Sequence, residues 1–97
     1  MPLLEITTNT TVENSLDIAE QASALTAEIL GKPESYVMVK ILPEQTLILA
    51  GTNEPAAHVK LKSLGLPEDK TTDYSASICA FISNNFGIDS ARIYIEF

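Results

Sequence analysis

The sequence has 97 residues, of which 45% are hydrophobic and 20% charged, as expected for one small globular domain. Its 13 acidic and 6 basic residues give a net charge of −7, which argues against nucleic acid and anionic membrane surfaces as partners. One cysteine and one histidine leave no disulfide framework and no cluster of metal ligands. Because neither a signal peptide nor an apolar run of ~18 residues is present, we expect a cytoplasmic protein.

The first stretch of the chain predicts a strand followed by a helix. Residues 3–8 have the composition of a short strand. Asn14 or Ser15 is placed to cap a helix, which Gly31 ends and Pro33 prevents from continuing. The apolar residues predicted to line its buried side recur at helical spacing: Leu16, Ala19, Ala22, Leu25, Ile29 and Leu30.

The rest of the chain again predicts strands with a helix between them. Residues 37–41 alternate as a strand, and a further apolar run follows at 46–50. After a turn, residues 57–63 predict another strand, and residues 93–97 predict the last one. Between these two lies a second helical stripe, which Gly87 ends and which consists of Tyr74, Ile78, Phe81, Ile82 and Phe86.

An internal repeat relates the two halves. Gly31 to Ile41 aligns without a gap to Gly87 to Phe97, at an offset of 56 residues. The sequence therefore predicts one α+β domain of two β-α-β units, about 1–50 and 51–97, sharing a four-stranded mixed sheet. Right-handed crossovers would place both helices on one face of this sheet. The other face also carries apolar residues, so we expect a second subunit to cover it.

The Met1-Pro2 start has a chemical meaning. If Met1 is removed, Pro2 carries a secondary amine, and α-amino groups titrate near ~7.7–8.0 in water. Burial among apolar side chains lowers such a value, and a base with a pKa near the working pH suits proton transfer. The alternative is that Pro2 merely permits removal of Met1.

Several stretches together resemble the macrophage migration inhibitory factor family of the tautomerase superfamily. They cover nearly the whole chain: Met1-Pro2, Gly31-Lys32-Pro33, Tyr36, Glu54-Pro55, residues 61–65, Tyr74-Ser75, Cys79 and residues 91–95. The resemblance implies two pseudo-symmetric β-α-β units and homotrimers with active sites between subunits. It also implies interconversion of keto and enol forms of phenylpyruvate-like acids and dopachrome analogues, without a cofactor or metal.

The same resemblance assigns roles to individual residues. Pro2 is expected to be the base, Lys32 to bind the substrate carboxylate, and Leu64 to contribute backbone contacts. Tyr36 is expected to help bind the substrate, and Tyr94 to reach the site from the neighbouring subunit. Taken without the resemblance, an exposed lysine such as Lys32 is more often solvated surface, and Tyr94 is more often a packing residue.

The sequence departs from the family pattern in three places. Ala56 and Val59 occupy the positions of a C-x-x-C proposed for thiol redox work in vertebrate members, so that activity is not expected. Cys79 remains and is predicted to be a small buried core residue. The chain ends at Phe97, where relatives continue into a segment that walls the pocket, and we expect its absence to affect pocket closure.

The third departure is Glu96, where the family commonly has asparagine. Residues i and i+2 of a strand share a face, so Glu96 should lie beside Tyr94 and near the pocket. A carboxylate there would favour the protonated amine of Pro2 and repel a carboxylate substrate, which predicts weak activity. The alternative is that Glu96 pairs with Arg92 or with a lysine of a neighbouring chain.

Two functions from different classes follow. The first is a cofactor-independent tautomerase of small aromatic keto or enol acids. The second is a cytokine-like binding protein that engages an unknown receptor through its surface and has a vestigial site. A structural trimer without chemistry is a third reading. Only the first needs a free amine at Pro2.

Overall fold

The computed structural model describes residues 1–97, which form one mixed sheet and two long helices. In chain order the elements are β1 (Leu3–Thr8), α1 (Ser15–Leu30), β2 (Met38–Leu42), β3 (Ala57–Lys62), α2 (Thr71–Phe86) and β4 (Ile93–Glu96). Single 3₁₀ turns precede β2, α2 and β4. Neither helix is long and apolar enough to cross a membrane.

The sheet has the strand order β2-β1-β3-β4. β1 pairs with β2 in parallel, β3 pairs with β4 in parallel, and the antiparallel pair β1–β3 joins the two halves at the centre. Each parallel pair is connected through a helix, so the chain consists of two β-α-β units. The predicted α+β class with a four-stranded mixed sheet is confirmed.

The core lies between the two helices and one face of the sheet. Leu4 and Ile6 of β1 alternate with outward residues and pack beside Val59 and Leu61 of β3. The residues that cover them from the helices are Ala22, Ile78 and Ile82, and all are almost fully buried. Burial of each large aliphatic side chain contributes roughly 1.5–3 kcal/mol, so this layer holds the helices on the sheet.

The buried side of α1 differs from the prediction. Ile18, Ala22 and Thr26 are buried, whereas Leu16 is 71% exposed. Residues four apart lie on the same helix face, but Leu16 and Ile18 are two apart and point in different directions. The predicted stripe therefore holds for its later members and is wrong for Leu16.

The apolar run 46–50 is not a regular strand. Leu49 and Thr52 exchange two backbone hydrogen bonds of 3.0 and 3.1 Å around a tight turn. The two central residues, Ala50 and Gly51, have φ values of 55° and 78°, as a type I′ turn requires.

The guanidinium of Arg92 anchors this segment. It donates to the carbonyl oxygens of Pro55, Leu49, Thr52 and Glu54 at 3.0–3.3 Å. These contacts add to the hydrogen bonds that Leu49 and Thr52 exchange and to the one that the Glu54 carbonyl accepts from Asn9, so Arg92 ties the loop to the start of β4.

Both helices end at a glycine in the left-handed conformation, Gly31 with φ 64° and Gly87 with φ 68°. This conformation suits glycine and closes the last helical turn. At the first of these ends the Lys32 N–H donates to the Ala27 carbonyl at 3.1 Å, which fixes the direction in which Lys32 leaves α1.

The sheet face opposite the helices is more polar than predicted. Strand register places Leu3 and Met38 on it, but also Lys40, Lys60 and Glu96. Met38 is 52% exposed, and Lys40 lies 4.0 Å from Glu5 in a surface ion pair. This face is therefore a mixed surface with apolar side chains toward the Pro2 end.

Candidate functional site

A cavity of about 410 Å³ opens at the end of the sheet where β1 begins. Its lining is formed by Met1, Pro2, Lys32, Pro33, Tyr36 and Leu64. Four of the six residues that the sequence assigned to the site, Pro2, Lys32, Tyr36 and Leu64, thus lie around one space. They come from three separate parts of the chain: the start of β1, the loop after α1 and the loop after β3.

Pro2 is held rigidly at the edge of this cavity. Its side chain is fully buried, and its carbonyl oxygen accepts a hydrogen bond of 2.9 Å from the Met38 N–H. Met1, in contrast, is 76% exposed. While Met1 is attached, the nitrogen of Pro2 is a tertiary amide without basicity. Removal of Met1 leaves a secondary amine in a place that two paired strands determine.

Lys32 lines the same cavity as Pro2. Its Nζ donates to Ser63 Oγ at 2.6 Å and to the Leu64 carbonyl at 3.2 Å. No carboxylate lies within 4.0 Å of it, although the chain has 13 acidic residues. A lysine ammonium has three N–H donors, so one remains for a ligand. The cavity therefore contains a positive charge that no acidic group of the chain neutralises.

The rest of the lining is largely apolar and exposed. Tyr36 is 58% exposed and Leu64 is 83% exposed, so both present surface to a molecule that enters the cavity. Ligand pockets commonly combine such apolar walls with a few polar groups that fix orientation. The arrangement suits a small acid whose carboxylate meets Lys32 and whose apolar part contacts Tyr36 and Leu64.

Tyr94 and Glu96 do not lie at the Pro2 cavity of their own chain. β4 is an edge strand separated from β1 by β3, and neither residue lines the Pro2 cavity. Their neighbour is His58: its ring centroid is 5.7 Å from that of Tyr94, and its Nε2 is 2.9 Å from Glu96 Oε1. Within one chain the structure thus does not bring Tyr94 or Glu96 to Pro2, and their contribution from a neighbouring subunit stays a prediction.

The alternative partner proposed for Glu96 within the chain is wrong. Arg92 does not pair with it, because the guanidinium is occupied by four carbonyl oxygens of the 49–55 loop. Glu96 pairs with His58 across the β3–β4 ladder instead.

Two residues that contact predicted site residues were not found from the sequence: His58, beside Tyr94 and Glu96, and Ser63, beside Lys32. The signal for His58 was its place opposite Tyr94 in a parallel ladder, which requires the strand register. Ser63 stands within the stretch 61–65 that carried the resemblance, but its contact with Lys32 bridges 31 residues of sequence.

Cys79 is half-buried rather than a fully buried core residue. It lies beside Phe97 and the first turns of α2 in an open groove away from Pro2. No group of three or more histidine, cysteine, aspartate or glutamate side chains is close enough to hold a metal ion. The cavity itself offers the Lys32 cation and an apolar wall, and removal of Met1 would add the amine of Pro2.

Comparisons with known proteins agree along the whole chain. Residues 1–97 match the family model described as Macrophage migration inhibitory factor (MIF). A macrophage migration inhibitory factor homolog of Trichuris trichiura is 39% identical over 99 residues, which cover 100% of this chain and 87% of the relative. The D-dopachrome decarboxylase of Mus musculus is 34% identical over 100 residues, covering 100% and 85%.

The fold comparison gives the same result. The crystal structure of a macrophage migration inhibitory factor homologue from Prochlorococcus marinus superposes with a TM-score of 0.93 at 35% sequence identity. The match covers 98% of this chain and 85% of that one.

Proposed function

Since the chain belongs to the macrophage migration inhibitory factor family, we propose that it is a cofactor-independent keto–enol tautomerase with the amine of Pro2 as its base. The proposed substrates are small aromatic keto or enol acids, phenylpyruvate-like or dopachrome-like. The observation that carries the proposal is that Pro2 and Lys32 line the same cavity and that no carboxylate of the chain pairs with the Lys32 ammonium. A keto acid needs these two groups, one for its proton and one for its carboxylate.

The proposed reaction moves one proton. The Pro2 nitrogen removes a proton from the carbon next to the carbonyl, and that C–H electron pair becomes the C=C bond of the enol. The C=O electron pair becomes an O–H bond as the oxygen takes the proton from the protonated Pro2 amine, which is thereby returned to its basic form. Lys32 holds the carboxylate and orients the acidic C–H toward the amine. Tyr36 and Leu64 contact the aromatic part.

We also propose that the protein acts as a homotrimer and that Tyr94 and Glu96 complete the site of a neighbouring chain. Two features support this. β2 and β4 are edge strands, each with one unpaired side, and such edges are sites for pairing with another chain. Tyr94 is 59% exposed although it is a large aromatic residue, so it is available to a neighbour.

The experiment that tests the proposed function compares two forms of the same chain. Mass spectrometry determines whether Met1 is present, and enol–ketone absorbance follows phenylpyruvate. We expect turnover by the processed chain and none by a chain that keeps Met1. Equal rates for the two forms would contradict the role of Pro2.

D-dopachrome serves as a second substrate, because one relative is named a decarboxylase. Trapping of carbon dioxide separates loss of the carboxylate from proton transfer alone. A cytokine-like binding protein with a vestigial site would turn over neither substrate in either form.

A further inference from the structure

Ser63 makes the shortest side-chain contact of the Lys32 ammonium. The distance from Lys32 Nζ to Ser63 Oγ is 2.6 Å, which is short for a charge-assisted hydrogen bond. Ser63 directly follows β3, one of the two central strands of the sheet, so its hydroxyl is carried by a rigid element. Lys32 lies in a loop after α1, and its side chain has four flexible carbon–carbon bonds.

We propose that Ser63 is a positioning residue that holds the Lys32 ammonium toward the Pro2 cavity and thereby determines the affinity for carboxylate substrates. This inference rests on the proposed function and deepens it. Without an acceptor at this place, the lysine side chain has many conformations that point into solvent. With the acceptor, the ammonium is ordered before the substrate arrives, and less conformational freedom is lost on binding.

The chemical nature of the acceptor matters. A hydroxyl oxygen and the Leu64 carbonyl are neutral, so they orient the ammonium without neutralising it. A carboxylate at the same place would form an ion pair with Lys32 and compete with the carboxylate of the substrate. Ser63 thus gives Lys32 a fixed direction and leaves its charge available.

The test measures binding of a carboxylate that does not react. Phenylacetate and phenylacetamide are titrated into the protein and followed by NMR, with Ser63→Ala, Ser63→Thr and Ser63→Asp as variants. We expect Ser63→Ala to weaken phenylacetate binding roughly five- to tenfold, the worth of one ordinary hydrogen bond, because Lys32 keeps its charge and loses only its orientation. Binding of phenylacetamide should change less than about twofold, and Ser63→Thr should bind like the parent.

Ser63→Asp tests whether the acceptor of Lys32 must be neutral. It should weaken phenylacetate binding more than Ser63→Ala does, since it adds a counter-ion for Lys32. Ser77→Asp is the matched control, because Ser77 is an exposed residue of α2 outside the cavity. In turnover of phenylpyruvate, Ser63→Ala should raise KM by the same factor as the dissociation constant and leave kcat nearly unchanged.

Three results would overturn the inference: equal losses for phenylacetate and phenylacetamide, equal effects of Ser63→Asp and Ser77→Asp, or a parent that does not bind phenylacetate at millimolar concentration. Failure of the proposed function looks different. In that case phenylpyruvate is not turned over, while the binding of phenylacetate still depends on Ser63.

Discussion

The imidazole of His58 and the carboxylate of Glu96 form a side-chain contact of 2.9 Å across the parallel pair β3–β4. Both residues lie on the sheet face opposite the helices, and the ring of Tyr94 lies beside them. Glu96 is therefore held by its own chain.

We expect Glu96→Asn to raise kcat/KM for phenylpyruvate by about fivefold. Two like charges about 4 Å apart in water repel by ~1 kcal/mol, so removing one carboxylate near the substrate carboxylate should give a gain of this size. Steady-state kinetics measure it. Glu20→Gln, which removes an exposed carboxylate of α1, serves as the control and should change little. If the two variants behave alike, Glu96 does not face the substrate of a neighbouring chain.

Replacement of Pro2 should abolish most activity. Pro2→Gly is expected to reduce kcat/KM by roughly 10²–10⁴-fold, the usual contribution of one general base. Because the Pro2 side chain is buried, its loss also removes packing. Insertion of an alanine before Pro2 is the matched control, since it keeps the ring and converts the amine to an amide. Both variants should lose activity while their far-ultraviolet circular dichroism stays that of the parent, and an active insertion variant would refute the assignment.

Lys32→Ala should discriminate between acids and esters. The expected rise in KM for phenylpyruvate is roughly 10- to 100-fold, the worth of a hydrogen bond between charged groups, whereas KM for its methyl ester should rise much less. Lys40→Ala removes a positive charge on the edge strand β2, outside the cavity, and controls for the change in net charge. Similar rises for acid and ester would show that Lys32 does not anchor the carboxylate.

The assembly can be measured directly. We expect light scattering at micromolar concentration to give three times the mass of the single chain. The pairing of exposed sheet edges and the burial of Met38 and Leu3 would stabilise such a particle. Val39→Pro removes a backbone N–H that points to the unpaired side of β2, since the N–H of the adjacent Met38 points to β1, and it should shift the distribution toward smaller species. A monomer for the parent would contradict both the trimer and a site shared between subunits.

The turn at Ala50 offers a stability prediction independent of function. Ala50 has φ 55°, a conformation that asparagine tolerates better than alanine, and asparagine followed by glycine favours type I′ turns. Ala50→Asn should therefore raise the free energy of unfolding by about 0.5–1 kcal/mol. Urea unfolding with an unchanged m value measures this. Ala50→Val, with its branched side chain, should instead lower the unfolding midpoint, and the opposite order would contradict the turn.

The sequence predicts the elements well because the patterns that define them are local. The period of apolar residues, the two glycines that end helices and the repeat between halves are all visible within short windows. The error at Leu16 has the same origin, since the face that a helix buries depends on what packs against it. Because Gly31 marks the end of α1, the sequence also predicts that Lys32 lies in the loop after this helix.

Contacts between distant strands were not predictable in the same way. The pairing of His58 with Glu96 depends on the register of β3 and β4, and a shift of one residue would turn His58 to the other face of the sheet. Charge alone makes Arg92 one of two alternative partners for Glu96, the other being a lysine of a neighbouring chain. In the structure the guanidinium donates instead to carbonyls of the 49–55 loop, at sequence separations of 37 and 43 residues that no local pattern reveals.

The left-handed glycines that end α1 and α2 make the two halves comparable position by position, and this comparison shows how their tasks differ. The residue after Gly31 is Lys32, whose ammonium faces a cavity, whereas the residue after Gly87 is Ile88, which is 1% exposed and belongs to the core. The same bend of the backbone thus delivers a charge to solvent in one half and an aliphatic side chain to the interior in the other. The loop after α1 thus presents a residue for ligand contact, and the corresponding loop after α2 presents a core residue. Each chain therefore has this lysine at only one of its two equivalent loops, in spite of its internal symmetry.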